Sequence, residues 1–181
     1  MGRHRFGEGQ YAYFSNPLPP LVRNLRAGLY PPLARIANAW AAALGRDERQ
    51  PATLREFLEH CHREGQSHPT PLLLRYEAGG YNRLHQDLYG DVAFPLQVAV
   101  LLSRPGRDFD GGEFLLLEQR PRMQSRGEAI ALKRGEAVVF PNHQRPVLGP
   151  RGYSRAQVRH GVSTLHSGER LTLGIIFHDA R

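Results

Sequence analysis

The stretch RLTLGIIFH at residues 170–178 decides the fold class of this chain. Apolar and other residues alternate along it, as in a β-strand with one side packed on a core. One face carries Leu171, Leu173, Ile175 and Phe177, and the other carries Arg170, Thr172, Gly174, Ile176 and His178. Arg170 and Thr172 therefore point together to the side opposite the apolar row. A buried cation there requires an anion or a hydrogen-bond network beside it.

The sequence from residue 70 onward has the pattern of an all-β fold. Short apolar runs alternate with turn signals at intervals of about ten residues, which indicates a sandwich or barrel. Strands are predicted near residues 71–76, 92–102, 113–118, 128–133, 136–140, 144–148, 155–162 and 170–178. Eight short strands behind a helical layer predict a mainly β fold, the double-stranded β-helix or jelly roll. The apolar row of the last strand is expected to face the helices, with Arg170 and Thr172 inside the barrel.

Residues 1–69 predict an edge strand and a layer of about three α-helices. The strand is the aromatic stretch YAYF at residues 11–14. Leu21, Leu25 and Leu29 mark a first helix ended by Pro31 and Pro32, residues 33–44 carry the stripe of a second, and residues 54–64 form the third. Each stripe has helical spacing, and a proline pair normally ends a helix. With the jelly-roll core at 70–181, we expect one domain over residues 1–181.

The composition indicates anionic partners and a reducing compartment. The formal net charge is +7, and every basic residue except Lys133 is arginine. Such a surface favours nucleic acid, an acidic protein or a small carboxylate. The single cysteine, Cys61, excludes an internal disulfide and fits the cytosol. Without a signal pattern or a long apolar run, we expect a cytoplasmic location and no membrane contact; the oligomeric state stays open.

Two histidines and one aspartate predict a metal site. His85 and Asp87 follow a strand-like run and a Gly-Gly turn, so they lie in extended chain and share a face. With the downstream His160 they supply two imidazoles and one carboxylate, the facial ligand set of non-haem Fe(II) oxygenases. The alternatives are a surface turn pair at His85 and Asp87 and a hydrogen-bonded strand histidine at His160.

A second His-x-acid triplet, His62-Arg63-Glu64, tests this interpretation. It follows Thr53-Leu54-Arg55-Glu56, a capping box that predicts a helix. Residues two apart on a helix point to nearly opposite sides, so His62 and Glu64 cannot share a metal ion. The triplet at His85 remains as the metal-binding candidate.

With Arg170 ten residues after His160, these residues resemble the 2-oxoglutarate/Fe(II)-dependent dioxygenases. The chain is also similar to a prokaryotic family whose proposed substrates are nucleic acids, for instance at residues 86–90, 118–122 and 177–179. The resemblance implies an enzyme that uses Fe(II), 2-oxoglutarate and O2, hydroxylates a second substrate, and releases succinate and CO2. It also implies that Arg170 binds the far carboxylate of 2-oxoglutarate and that Thr172 adds a hydroxyl group.

Three residues, Tyr76, Arg170 and Ile176, can be compared with the residues that different branches of this superfamily carry at the same positions. Tyr76, nine residues before His85, resembles a tyrosine of the prolyl-hydroxylase branch that hydrogen-bonds the co-substrate; a core tyrosine is the alternative. Collagen-type prolyl hydroxylases usually carry lysine where this chain has Arg170, so a collagen-like substrate is not implied. Alkylated-base repair dioxygenases carry a second arginine six residues later, where this chain has Ile176.

The substrate is predicted only as a class. Arg120, Arg122 and Arg126 lie in the most polar stretch of the β region, and Tyr81 and Tyr89 flank the His85 motif. Aromatic and arginine side chains together suit single-stranded nucleic acid, and they suit an acidic peptide equally well. A solvated loop is the alternative for the arginines. A non-catalytic, cupin-like module that binds or senses a metal or carboxylate is the alternative for the whole chain.

Overall fold

The computed structural model of the chain describes residues 7–87 and 90–181. It contains two antiparallel sheets and two helices. The strands are β1 (Gly7–Glu8), β2 (Gln10–Tyr13), β3 (Leu72–Glu77), β4 (Tyr81–His85), β5 (Leu96–Leu101), β6 (Phe109–Gly111), β7 (Phe114–Gln119), β8 (Arg126–Ile130), β9 (Ala137–Pro141), β10 (Gln144–Gly149), β11 (Gly152–Val162) and β12 (Leu165–Ile175). The helices are α1 (Pro20–Ala43) and α2 (Leu54–Arg63).

The two sheets form the predicted jelly roll. The first has the order β1-β4-β11-β7-β8, with β10 paired to β11. The second has the order β2-β3-β12-β5-β9, with β6 paired to β12. The chain therefore crosses repeatedly between the sheets, while β2 and β3, β7 and β8, and β10 and β11 are neighbours within one sheet. This is the arrangement of a double-stranded β-helix. All eight predicted strands exist with shifted ends, the edge strand is β2, and prediction missed β1, β4 and β6 as separate strands.

The helical layer has two helices, so the prediction of about three was wrong. The first two predicted helices are one helix, α1, which continues through Pro31 and Pro32. Each proline removes one backbone hydrogen bond, which normally breaks a helix. The buried face of α1 is nevertheless continuous across the prolines, from Val22 through Tyr30 to Ala37. Tertiary packing of that face outweighs the local preference.

The main core lies between the helices and the second sheet. Tyr30 of α1 and Phe57 of α2 pack with Phe94 and Phe177, and the ring centroids of Tyr30 and Phe94 are 5.0 Å apart. Leu173 and Ile175 of β12 belong to the same cluster. The predicted apolar row therefore faces the helices and leaves the other side of β12 for the space between the sheets. No helix in the described ranges is long and apolar enough to cross a membrane.

Candidate metal centre and adjoining cavity

His85, Asp87 and His160 meet between the two sheets. His85 is the last residue of β4 and pairs with His160 of β11. The register shifts between His160 and Val162, and such a bulge redirects side chains next to it. Asp87 follows two residues after His85, and one ligand atom from each of the three residues lies within 4.8 Å of the others.

The two imidazoles converge on separate oxygens of one carboxylate. His85 Nε2 is 3.4 Å from Asp87 Oδ1, and His160 Nε2 is 3.3 Å from Asp87 Oδ2. His85 Nδ1 lies 2.7 Å from the Arg83 carbonyl oxygen, which can only accept a hydrogen bond. Nδ1 therefore carries the proton and leaves the Nε2 lone pair for a metal ion.

Polar side chains hold Asp87 in place. Gln97 Nε2 donates hydrogen bonds to Asp87 Oδ2 at 3.1 Å and to Asn142 Oδ1 at 2.7 Å. Gln86, between the two predicted ligands of the triplet, donates to the carbonyl oxygens of Val158 at 2.8 Å and His143 at 3.2 Å. These bonds fix the orientation of the triplet before any ligand binds.

The pKa shifts of Asp87 and His160 suit metal binding, whereas the shift of His85 favours its protonated form while no metal is bound. Burial alone would raise the pKa of the Asp87 carboxyl, but hydrogen bonds and charge from His160 and His85 hold that pKa well below its usual range. Burial lowers the pKa of His160. Burial opposes protonation of His85 as well, but Asp87 outweighs it and raises the pKa of His85. An ionised carboxylate and a neutral imidazole are the ligand forms that a metal requires.

His160 has an apolar surround on its other side. Its ring centroid lies 4.6 Å from that of Phe140 and 6.1 Å from that of Phe114. Its Nδ1 atom is buried and has no hydrogen-bond partner among the described residues. The tight packing restricts rotation of the ring, so His160 keeps its Nε2 atom directed at Asp87.

Arg170 marks the other end of the same cavity. It is 2% exposed, and its Nη1 atom donates a 2.6 Å hydrogen bond to Thr172 Oγ1. Within residues 7–87 and 90–181, its Nε atom has no hydrogen-bond partner and no carboxylate forms an ion pair with it. Burial lowers its pKa. A buried guanidinium without a carboxylate partner is a site for an anion.

Tyr76, which the resemblance implies as a co-substrate contact, lies beside Arg170. It is 1% exposed and pairs with Arg170 across β3 and β12. The Arg170 Cζ atom is 5.9 Å from the centroid of the Tyr76 ring. Burial raises the pKa of Tyr76 to about 12, so the hydroxyl group remains a proton donor at neutral pH.

A cavity of about 220 Å³ connects these groups. His85, Asp87, His160, Arg170, Thr172 and Tyr76 all line it. Its outer rim includes Tyr11 and Tyr13 of β2, which are 38% and 46% exposed. Their ring centroids are 5.5 Å apart in an edge-to-face arrangement. Sequence analysis predicted the strand but missed these aromatic rings at the cavity; alternation in YAYF was the available signal.

The predicted substrate residues do not gather around this cavity. Tyr81 is absent from the lining, and its hydroxyl oxygen lies 3.5 Å from Arg83. Tyr89 lies outside the described residues. Arg120 and Arg122 line an open groove elsewhere, whereas Arg126 lines a smaller depression with Glu128. Only Arg120 and Arg122 thus line the same groove, and a substrate-binding role for the three arginines stays a prediction.

A family model matches residues 9–180 of the chain. That family, Oxygenase-NA, is described as an oxygenase catalysing oxidative methylation of damaged DNA. The chain belongs to the Oxygenase-NA family. This membership makes the protein an oxidoreductase of the oxygenase type and agrees with the resemblance seen in its sequence.

Relatives of this Oxygenase-NA member include two uncharacterized proteins of Mycobacterium tuberculosis, from strains CDC 1551 and H37Rv. Each is 51% identical over 167 residues, which are 92% of this chain and 72% of theirs. A Pseudomonas putida prolyl-4-hydroxylase covers 99% of this chain and 76% of its own, at 16% identity and a TM-score of 0.52. A 2OG-Fe(II) oxygenase-family oxidoreductase from Burkholderia pseudomallei covers 61% and 43%, at 22% identity and a TM-score of 0.43. The prolyl-4-hydroxylase likeness shows a shared fold.

Proposed function

We propose that the protein is an Fe(II)- and 2-oxoglutarate-dependent oxygenase that hydroxylates a nucleic-acid substrate. The observation that carries the proposal is the position of Arg170. This buried cation, which has no carboxylate partner in the described ranges, lines the same cavity as His85, Asp87 and His160. One end of the cavity thus suits a dianionic small molecule and the other suits a divalent metal ion.

The donor set at the metal end fits iron. Two imidazole nitrogens and one carboxylate form the facial triad of non-haem Fe(II) oxygenases, and the hydrogen bonds to Asp87 and His85 fix their directions. We therefore assign iron binding to His85, Asp87 and His160. When bound, Fe(II) together with O2 and 2-oxoglutarate supplies the oxidising power that converts a substrate C–H bond to C–OH, with succinate and CO2 as co-products.

The protein's own residues position the co-substrate and exclude water. Arg170 is assigned the far carboxylate, which it can hold with two parallel hydrogen bonds. Thr172 orients the guanidinium through the 2.6 Å bond to Nη1. The Tyr76 hydroxyl group adds a neutral donor at the same end. The cavity walls are largely apolar and include Leu74 and Val162. Because apolar walls exclude water, they strengthen the attraction between the Arg170 guanidinium and the carboxylate of the co-substrate.

The family description and the cavity rim support nucleic acid as the substrate. Tyr11 and Tyr13 lie at the rim, where exposed aromatic rings can stack on a base. Hydroxylation of an N-methyl carbon on a damaged base gives an N-hydroxymethyl group, which breaks down to formaldehyde and the unmodified base. On this proposal the enzyme would remove a methyl group, because the oxygen enters a C–H bond and the C–N bond then breaks.

Succinate formation from 2-oxoglutarate tests the chemistry. With Fe(II) and O2, the wild-type protein should form succinate slowly even without a second substrate. His160→Ala should abolish this formation, because one ligand is lost, whereas His60→Ala on the exposed face of α2 should leave it unchanged. Arg170→Ala should raise the KM for 2-oxoglutarate about 30-fold or more, since losing one partner of a protected charge pair costs about 2–5 kcal/mol.

Two outcomes would contradict this assignment. Wild-type succinate formation by His160→Ala would mean that the metal ligands lie elsewhere. A wild-type protein that binds Fe(II) and 2-oxoglutarate yet forms no succinate would favour the cupin-like binding or sensing module instead.

A further inference from the structure

A groove of about 1090 Å³ lies on another part of the surface. Four arginines line it: Arg46, Arg120, Arg122 and Arg155. No aspartate or glutamate of the described part of the chain belongs to its lining. We call these four side chains and the surface between them the arginine groove. Four guanidinium groups without a lining carboxylate produce a strong local attraction for anions.

Separate elements bring these cations together. Arg46 follows the end of α1, Arg120 and Arg122 lie between β7 and β8, and Arg155 lies on β11. Because the four come from distant parts of the sequence, the folded chain holds like charges close to one another. Like charges in one place are unfavourable without a counter-ion, which is a cost that a bound polyanion would relieve.

Three of the four cations lack an ion-pair partner in the described part of the chain, although Arg46 Nη2 donates a hydrogen bond to Gln144 Oε1 at 3.2 Å. Within residues 7–87 and 90–181, no carboxylate forms an ion pair with Arg46, Arg122 or Arg155. Arg120 donates to Glu118 Oε1 at 2.7 Å, and Glu118 also accepts hydrogen bonds from Arg145. Some arginines outside the groove are ion-paired within the fold, such as Arg26 with Asp179. The arginine groove thus keeps its charge available for an external anion.

The arginine groove is linked to the metal centre through Gln157. This residue lines the groove, and its Oε1 atom lies 3.5 Å from Gln86 Nε2. Gln86 stands between His85 and Asp87 in the sequence, and its side chain is bonded to the backbone of β11. Gln157 and His160 lie three residues apart on that strand, about 10 Å along it, and an odd separation places their side chains on opposite faces of the sheet. The groove therefore lies on the exposed face of β11, and the metal centre lies on its buried face.

We propose that the arginine groove binds the phosphate backbone of a single-stranded nucleic acid. The proposal rests on the proposed function, because that function makes the bound nucleic acid the substrate of the metal centre. Charge complementarity selects a polyanion, and Tyr153 selects a single strand. Tyr153 lines the groove and is 54% exposed, so its ring is accessible to an unpaired base.

Salt-dependent binding tests the groove. Fluorescence anisotropy with a labelled single-stranded DNA oligonucleotide would be measured at several salt concentrations, for the wild type and for Arg46→Gln/Arg122→Gln/Arg155→Gln. Each phosphate contact contributes about 0.7 to the slope of log affinity against log salt, so the triple variant should lose about two units of slope. Tyr153→Ala should weaken single-strand binding about fivefold or more and leave duplex binding nearly unchanged.

A charge-matched control separates a local site from general attraction. Arg23→Gln/Arg35→Gln/Arg134→Gln removes the same charge from exposed positions outside the groove and should keep the wild-type slope. An equal loss in both triple variants would overturn the proposal, as would tighter binding of duplex DNA or of an acidic peptide than of the single strand.

Succinate formation distinguishes the two proposals. The groove variant should keep the wild-type rate of succinate formation without a second substrate and the wild-type KM for 2-oxoglutarate, because no groove residue contacts that cavity. If the wild type forms no succinate but the salt slopes behave as expected, the proposed function fails and the groove proposal stands. If succinate forms but the slopes of wild type and groove variant agree, the groove proposal fails alone.

Discussion

Arg26 and Arg170 are equally buried, each 2% exposed, yet their surroundings differ. The Nη2 atom of Arg26 donates 2.8 Å hydrogen bonds to Asp179 Oδ1 and to the Phe177 carbonyl oxygen, and its Nε atom donates to the Ile176 carbonyl oxygen at 3.0 Å. Arg170 donates one side-chain hydrogen bond, to Thr172, and its Nε atom has no partner among the described residues.

We infer from this difference that Arg26 is a structural cation and that Arg170 binds a ligand. Burial lowers the pKa of both guanidinium groups, but the charge and hydrogen bond of Asp179 oppose this for Arg26. For Arg170 the interactions that oppose burial are with the Tyr76 hydroxyl group and with Glu113, and neither residue forms an ion pair with it. Arg26 thus completes its interactions within the fold, whereas Arg170 requires an anion from outside.

Paired substitutions with methionine would test this contrast through stability. Arg26→Met should lower the free energy of unfolding by about 3–5 kcal/mol, because it leaves Asp179 buried without its strongest partner. Arg170→Met should change the ligand-free stability by less than about 1 kcal/mol, since the removed charge had no carboxylate partner to leave behind. Urea unfolding followed by circular dichroism measures both.

The ligand provides the control for that pair. With the divalent metal present in every sample, 2-oxoglutarate at one hundred times its wild-type Kd should add about 2.7 kcal/mol to the stability of the wild type and much less to that of Arg170→Met. If Arg170→Met destabilised the ligand-free protein as much as Arg26→Met does, Arg170 would be a structural residue and the contrast would be wrong.

Sequence alone identified Arg170 and not Arg26, for a physical reason. Arg170 lies on a strand with a period of two, and that period shows that its side chain points away from the apolar row. Arg26 lies on α1, whose apolar stripe includes it as a buried position, and its partner Asp179 is 153 residues away. Local pattern carries no information about such a distant pairing.

The same limit explains what was missed elsewhere. The metal triad was predictable because each donor type and its spacing are visible in the sequence. The continuity of α1 through Pro31 and Pro32 was not, because packing of a whole face outweighs the prolines. Arg46 and Arg155 line the same groove as Arg120 and Arg122 only because the fold brings distant parts of the sequence together. Predicting their cluster would require knowing how α1, β7 and β11 meet.

The free energy of unfolding should depend on pH through His178, and the charge of Arg26 contributes to that dependence. Burial, followed by the charge of Arg26, lowers the pKa of His178 to about 4. Between about pH 6.5 and pH 4 the unfolded chain binds a proton at this residue and the folded chain does not. This residue's contribution to stability is therefore complete above about pH 6.5 and is lost as the pH falls toward 4, by up to about 3 kcal/mol.

Urea unfolding at a series of pH values checks this expectation. His178→Asn retains an acceptor for the Phe94 N–H group, which donates to His178 Nδ1 at 3.2 Å, and should show a shallower loss of stability in that window. Arg26→Met should also narrow the pH range over which stability is lost, because it removes one cause of the low pKa of His178. An identical slope in the wild type and His178→Asn would assign the acid sensitivity to other groups.

Thr172→Val should have a smaller effect than the substitutions above. It should weaken ligand binding at Arg170 and leave the interactions of Arg26 unchanged. Valine keeps the shape of threonine and removes the hydroxyl group that orients the Arg170 guanidinium. A net hydrogen bond of about 1 kcal/mol corresponds to an increase in Kd for 2-oxoglutarate of about fivefold. Calorimetric titration with Mn(II) in place of Fe(II) measures it without turnover. Thr172→Ser keeps the hydroxyl group and should bind nearly as the wild type does; equal weakening in both variants would mean that shape, and not the hydrogen bond, holds Arg170 in position.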